Sequence, residues 1–322
     1  MLSVVLCTYN GVRYLPQQLD SLLRQTRQAD EIVIQDDGST DGTLELCEAF
    51  SREHPDIVRF YRNEGEHGPS ANFYSAMRKA QGDLLALCDQ DDIWEPDKLR
   101  LQEEALQKSG ALLCGCRSKA FAEDGAQADF DTRRPNVALM RMLHCIEIPG
   151  HAILMRRELL EMIPSGLAIF KYRMHDYVIN NIAAAADSIV LLDDVLVHYR
   201  RHVSAVTYTP TDGQQPTVRN AWHMLTWCLR NYRRIKIKGA QAYLDSRDLL
   251  LALPFRTPIV LDAMRLMELQ SQPPSVLNYL RTACLCLRHR HEIYHTRGSG
   301  LTAIVRALLF PLTSVFYKRM MK

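Results

Sequence analysis

Leu84-Leu85-Ala86-Leu87-Cys88-Asp89-Gln90-Asp91-Asp92-Ile93-Trp94 is the stretch on which the fold turns. Five apolar residues have the length of a strand buried on both faces, as parallel sheets require. Three aspartates follow within four residues. Like charges so placed need a cation or a raised pKa to coexist beside an apolar run. In open parallel sheets, ligands bind beyond the carboxyl ends of the strands. Working outward, the same junction recurs. The run Leu2 to Cys7 ends in Thr8-Tyr9-Asn10, and Glu31 to Gln35 ends in Asp36-Asp37-Gly38-Ser39.

Between these runs the apolar spacing becomes helical. Leu15, Leu19, Leu22 and Leu23 share one face, and Asp41 opens a helix with Leu44, Cys47 and Phe50 inward. A third strand is expected over Ile57 to Tyr61, a helix near Ser70 to Gln81 and a fifth strand over Ala111 to Cys116. Pro96 suits the first turn of a helix running to about Lys108. Alternating strands and helices predict an α/β fold, a Rossmann-like, mostly parallel sheet with helices on both faces. Residues 120–138 read as a long loop. Beyond it come a strand at Ala152 to Met155, a helix at His175 to Ala186 and strands at 188–192 and 195–200. Thr207 to Pro216 reads as a linker. The remainder, 217–318, is expected to be helical and punctuated by prolines.

Charge divides the chain at the same place. The 322 residues carry a net charge of +2. Residues 1–209 hold 22 basic and 31 acidic residues, a net of −9, and 210–322 hold 17 and 6, a net of +11. An acidic body (1–209) and a basic helical C-terminal region (210–322), with separate roles, are therefore expected. The near-neutral total excludes bulk-charge binding of nucleic acid. A hydrophobic fraction of 47% excludes a disordered acidic chain. Nine scattered cysteines without Cys-x-x-Cys spacing read as small buried hydrophobes of a reducing cytosol. The N-terminus reads as a strand and not as a signal peptide, and no uninterrupted apolar run reaches the ~18–20 residues of a membrane span.

The acidic turn suits hard cations, Mg²⁺ or Mn²⁺. There is no G-x-x-x-x-G-K-S/T loop, and no G-x-G-x-x-G follows the first strand, so a diphosphate would be held through the metal. Taken singly, these polar residues also read as turns and helix caps, as Thr40 and Asp41 do.

Together, Ser3-Val4-Val5-Leu6-Cys7-Thr8-Tyr9-Asn10, Asp36-Asp37-Gly38-Ser39-Thr40-Asp41-Gly42-Thr43 and Asp89-Gln90-Asp91-Asp92-Ile93-Trp94 with Pro96-Asp97-Lys98-Leu99 resemble the family 2 glycosyltransferases of GT-A fold. With Asn72-Phe73 upstream, the likeness is greatest to bacterial polysaccharide and rhamnosyl transferases. It covers about residues 1–205. The family often has proline before the threonine, where Cys7 stands here. The resemblance implies a nucleotide pocket lined by Thr8, Tyr9 and Asn10, with Asp37 accepting the imide N–H of uracil or thymine and Asp36 supporting it. It implies a metal and diphosphate site at Asp91 and Asp92, with Asp89 nearby. His202 or Arg201, in His198-Tyr199-Arg200-Arg201-His202, would reach the metal or diphosphate; the plain alternative is a solvated strand end. Asp176 stands where similar enzymes place the general base, although aspartate at a helix start is also a common cap. His175 would contact the acceptor, and His151 would either floor the acceptor pocket or be structural.

The expected function is inverting, metal-dependent transfer of a hexosyl or rhamnosyl group from a nucleoside-diphosphate sugar, UDP- or dTDP-linked, to a saccharide or lipid-linked acceptor in cell-surface polysaccharide synthesis. A sugar nucleotidyltransferase and a non-catalytic nucleotide-sugar-binding adaptor are the alternatives. The tail helix has Leu301, Ile304, Val305, Leu308, Leu312, Val315 and Phe316 at helical steps, with Arg306, Lys318, Arg319 and Lys322 among them and a kink expected at Pro311. With basic residues 230–238 it is expected to lie on the cytoplasmic face of an anionic membrane, as a peripheral contact. A helical cap packed on the catalytic domain is the other reading.

Overall fold

A computed structural model describes residues 1–123, 134–164, 173–202, 218–294 and 300–318. The linker at 207–216, the 209/210 boundary, most of the 120–138 loop, Arg319 and Lys322 lie outside the described residues. The strands are β1 (Leu2–Thr8), β2 (Glu31–Asp36), β3 (Val58–Arg62), β4 (Leu84–Cys88), β5 (Ile93–Trp94), β6 (Leu113–Ala122), β7 (Ile153–Arg156) and β8 (Ile189–Arg201). They form one sheet in the order β3-β2-β1-β4-β7-β6-β8-β5. β3, β2, β1 and β4 run parallel, and every residue of β1, β2 and β4 is buried. Their continuous Val, Ile and Leu runs reflect burial on both faces. Glu31 is tolerated inside because Ser3 Oγ, at 2.6 Å, and the amide of Gln81, at 2.8 Å, both donate to its Oε2.

The sheet's other half departs from the expected parallel pattern. β7 is antiparallel to both β4 and β6, and β5 is antiparallel to β8. The two strands expected at 188–192 and 195–200 are one strand. Gly115 pairs with Leu191 and Arg117 with Val195, so the residues around Asp193-Asp194 bulge without breaking it. This half also extends the fifth strand to Ala122, into the segment expected to be a loop.

Helices α1 (Leu15–Leu23), α2 (Thr43–Glu53), α3 (Pro69–Lys79) and α4 (Lys98–Ser109) cover the first half. Proline opens α1 and α3, where its missing N–H costs nothing. Pro96 falls in the turn before α4 and not in its first turn, and the Thr26 amide bonds to its carbonyl at 2.9 Å. Short helices α5 (Leu139–Met142) and α6 (Arg157–Glu161) flank β7, and α7 (His175–Ala185) follows.

The C-terminal region is helical, as expected: α8 (Val218–Lys238), α9 (Ala240–Ala252), α10 (Pro258–Ser271), α11 (Val276–Arg288) and α12 (Gly300–Thr313), then a 3-10 turn over Ser314–Lys318. Tyr243, Leu250, Met267 and Phe310 join the same apolar core as Leu6 and Val33. The tail is therefore packed on the body. Among the described residues, Gly300–Tyr317 is long and apolar enough to cross a membrane, and 39% of it is buried in the fold. Arg306 interrupts it, and Pro311 lies within the last turn of α12. Outward, Leu301, Val305 and Leu308 are exposed beside Val276, Leu277 and Leu280 of α11.

Candidate active site

The carboxyl ends of β1, β2 and β4 open into a cavity of about 1190 Å³. Thr8, Tyr9, Asn10, Asp37, Asp89, Asp91, His175, Asp176 and His202 all line it. Of the residues expected at the site, Asp36, Asp92 and Arg201 do not line it, and all three are buried.

Asp36 builds the turn that presents its neighbour. Its Oδ1 accepts the amides of Gly38 and Ser39, at 2.9 and 2.8 Å, and its Oδ2 accepts the hydroxyls of Thr8 and Ser39. Gly38, at φ 92°, makes the turn possible. Asp37 is thereby set at the cavity wall. Its Oδ1 accepts Asn63 Nδ2 at 2.7 Å and lies 2.9 Å from His67 Nδ1, and its Oδ2 accepts the Gly68 amide at 2.7 Å. A carboxylate has about four acceptor positions, so one further donor can be received. Asn63 and His67 were not picked out from sequence. The signal was present, since Asn63-Glu64-Gly65-Glu66-His67-Gly68 follows β3 at the same sheet edge.

Gln90 locks β1 to β4. Its Oε1 accepts the Tyr9 amide and its Nε2 donates to the Tyr9 carbonyl, both at 2.9 Å. A Cβ on Gly11 would lie 2.1 Å from that Oε1, which explains the glycine. Tyr9 itself is 55% exposed and stands at the cavity mouth.

At the acidic turn the three aspartates separate. Asp91 meets His202, with Nε2 2.9 Å from Oδ2. The His202 ring lies 4.8 Å from that of Tyr14. Asp92 is wholly buried. Its Oδ1 accepts the Arg200 amide at 3.0 Å, while its Oδ2 has no hydrogen-bond partner. His151 Nδ1 lies 3.3 Å from that Oδ2 and 3.5 Å from Asp89 Oδ2, and Ser118 Oγ lies 2.8 Å from its Nε2. Asp89, Asp92 and His151 thus offer three ligand atoms within 4.8 Å of one another. Two carboxylates, an imidazole with a polar outer partner and an orphaned buried oxygen fit a divalent cation. Burial pushes Asp92 up to about 8 against the pull of His151. Burial also works against charge on His151, but the Asp92 and Asp89 carboxylates outweigh it and raise its pKa.

Arg200 is the brace behind this turn. Its Nε donates to the Asp91 carbonyl at 2.8 Å, and its two terminal nitrogens bond Glu123 and Gln17. Beneath the turn, buried Lys98 sits 3.6 Å over the Trp94 ring, and burial lowers its pKa.

Asp176 lies in the first turn of α7, and its Oδ1 accepts the Tyr177 amide at 2.8 Å. Burial raises its pKa above the ordinary carboxylate range. His175 stacks on Phe73, with ring centroids 4.0 Å apart, and burial lowers its pKa. Its Nε2 would lie 2.9 Å from a Cβ on Gly150. His175 is thus a packing residue as well as part of the cavity wall.

A parallel half-sheet with an acidic turn beyond its fourth strand, continued by a mixed half and a helical tail, is the GT-A architecture of nucleotide-sugar enzymes. The glycosyl transferase family 2 model matches residues 3–163, half of the chain. The protein belongs to this family. It is 35% identical over 99 residues to the dTDP-rhamnosyl transferase RfbG of Shigella flexneri, covering 30% of this chain and 34% of that one. Matches to several curated relatives cover 34% to 61% of their lengths. Among solved structures, S. aureus TarS 1-349 in complex with UDP-GlcNAc superposes with a TM-score of 0.58 at 14% identity, covering 99% of this chain and 89% of that one. The mannosyltransferase PcManGT of Pyrobaculum calidifontis, in complex with GDP-Man and Mn²⁺, gives 0.53 at 17% identity, over 98% and 85%. These likenesses concern the fold.

Proposed function

We propose that the enzyme transfers a hexosyl or rhamnosyl group, with inversion, from a UDP- or dTDP-sugar to a saccharide acceptor, lipid-linked, in cell-surface polysaccharide synthesis. One observation carries the reading: Asp37, the Asp91–His202 pair and Asp176 line a single cavity. Asp37, with one acceptor position remaining, takes the imide N–H of the base, and Tyr9 covers it. Asp176 removes the proton from the acceptor hydroxyl, and its raised pKa improves it as a base. The likeness to the dTDP-rhamnosyl transferase RfbG supports the dTDP donor.

Asp91 and His202, both at the cavity wall, hold the divalent ion, Mg²⁺ or Mn²⁺, with Asp92 buried behind them. When bound, the ion stabilises the diphosphate leaving group as a Lewis acid. A second reading puts the ion on Asp89, Asp92 and His151, favoured by their three converging ligand atoms. His202→Ala and His151→Ala separate the two. The variant that abolishes Mn²⁺-dependent nucleotide binding identifies the liganding histidine.

The tail rests on the cytoplasmic face of the membrane through the exposed apolar faces of α11 and α12, close to a lipid-linked acceptor. The test of the whole reading is a thermal-shift panel of UDP, dTDP and GDP, with and without Mn²⁺. A Mn²⁺-dependent shift with UDP or dTDP is expected. A shift with GDP alone, or no dependence on the metal, would refute it.

A further inference from the structure

The cavity continues past the nucleotide and base residues to a wall that no expected site residue occupies. Arg141, Cys145, Ile146, Glu147 and Pro149 line it there. Topology sets the direction. β7 is antiparallel to β4, so the chain entering β7 lies at the same sheet edge as the acidic turn, on the side away from β2 and Asp37.

This wall is built with a buried charge pair. Arg141 Nε donates to Glu147 Oε1 at 2.7 Å, and both side chains are about nine-tenths buried. Glu147 Oε2 accepts the Asn136 amide at 2.9 Å, and Cys145 Sγ lies 3.2 Å from Oε1. Burying such a pair is seldom stabilising in itself, so its place on a cavity wall calls for a reason. The C-terminal region holds the pair in position. Arg141 Nη1 donates to Tyr317 Oη at 2.9 Å, with the guanidinium 5.4 Å over the Tyr317 ring. Asn136 Nδ2 bonds the carbonyls of Glu292 and Tyr294, and His144 Nε2 lies 3.0 Å from Gln270 Oε1.

We infer that this wall is a subsite for a neutral saccharide unit of the acceptor, and that Tyr317 is a positioning residue for it. An Arg–Glu pair offers both donors and acceptors to vicinal hydroxyls. Arg141 is already neutralised by Glu147, which disfavours a phosphate as occupant. Ile146, exposed at the same wall, supplies an apolar surface for a sugar ring face. The tail is thereby part of the acceptor site. The inference rests on the proposed transfer reaction and deepens it.

The test is saturation-transfer NMR on the full chain with UDP and diamagnetic Mg²⁺. The probes are methyl α-rhamnopyranoside, methyl β-glucopyranoside and methyl β-N-acetylglucosaminide, with inorganic pyrophosphate as an anionic competitor. At least one glycoside should receive saturation. Its affinity should fall about tenfold in Glu147→Gln, the loss of one hydrogen bond to a charged group. Tyr317→Phe, which keeps the ring and the fold, should weaken the glycoside several-fold and leave UDP binding unchanged. Absence of glycoside signal with UDP bound, glycoside binding unaltered in Tyr317→Phe, or displacement of the glycoside by pyrophosphate while UDP stays bound would each overturn the subsite. Failure of UDP itself to bind would instead sink the transfer reading.

Discussion

Asp176→Asn is the sharpest perturbation of the proposed chemistry. The amide nearly matches the carboxylate in shape, and its oxygen can still accept the Tyr177 amide now bonded at 2.8 Å. The helix start should therefore survive. Stability should not suffer either, because burial raises the Asp176 pKa. A raised carboxyl contributes stability that is full below its unfolded pKa and is lost as pH rises through the folded pKa. Burial works against the ionised carboxylate, and asparagine removes that charge. The Tm at pH 7.5 should be equal or higher. Catalysis responds in the opposite direction. General-base assistance contributes about 10²–10⁴-fold, so kcat should fall by that factor, about 3–5 kcal/mol in the barrier. In the parent enzyme, the acidic limb of kcat against pH should rise through a pKa above the usual aspartate range. The assay is nucleotide release from UDP- or dTDP-sugar with acceptor present, alongside UDP binding by thermal shift. A variant that binds UDP normally and turns over within threefold of the parent would show that Asp176 is only a helix-start residue.

The remaining expectations concern the turn and the frame around it. Without metal, stability should fall as pH rises from about 4 to 8, because burial raises Asp92 to about 8 and the native state must give up that proton as the pH climbs. Asp92→Asn should flatten that slope, and a Tm-against-pH series in EDTA checks both. Gly11→Ala should push Gln90 aside and break its two bonds to Tyr9, costing about 2 kcal/mol and weakening nucleotide binding; urea unfolding and UDP titration measure the two losses. Arg200→Lys should lower Mn²⁺ affinity more than UDP affinity in metal-free buffer, because it removes the support of the Asp91 carbonyl, as calorimetry would show.

The parallel half of the fold was legible because its strands are buried on both faces and so carry unbroken apolar runs. Leu2–Thr8 and Leu84–Cys88 admit no other element of that length. The polar residues at their ends pointed to the site for the same reason. The mixed half was less legible. Its long edge-side strands alternate less cleanly, and the bulge at Asp193-Asp194 has the composition of a turn. Within the site, the family resemblance set Asp37 on the base with Asp36 in support, but the residues alone gave no physical reason for that division. Only the folded turn shows that Asp36 is spent on Thr8, Gly38 and Ser39 while Asp37 faces the cavity. The three aspartates at 89–92 divide in the same way. His151 was undecided from sequence because its partners arrive from β4 and β6, far from it in the chain. Arg141 and Glu147 carried no signal, being an ordinary charge pair six residues apart until Tyr317 closes on them.

The membrane proposal is reshaped by the same packing. The charge division set the basic tail apart as a membrane contact, for which deletion of 300–322 would be the natural test. The fold makes that deletion uninformative. Phe310 is fully buried in the common core, in edge contact with His144 and Tyr294, and Ala303 and Ala307 are buried with it. Removing α12 would expose that core and bare the wall that holds Arg141, so lost membrane binding could reflect unfolding alone. The outward residues separate the two effects. Leu301 is 71% exposed, and Val305 and Leu308 stand beside it on α12. Leu301→Asp with Val305→Asp should leave Tm within about 2 °C, since surface changes are usually within ±0.5 kcal/mol. Sedimentation with vesicles containing anionic lipid should fall at least tenfold, from two buried apolar side chains lost and two like charges added. Unchanged sedimentation of this well-folded variant would assign α12 wholly to packing, and the apolar face of α11 and the basic residues of α8 would then remain as routes to a membrane.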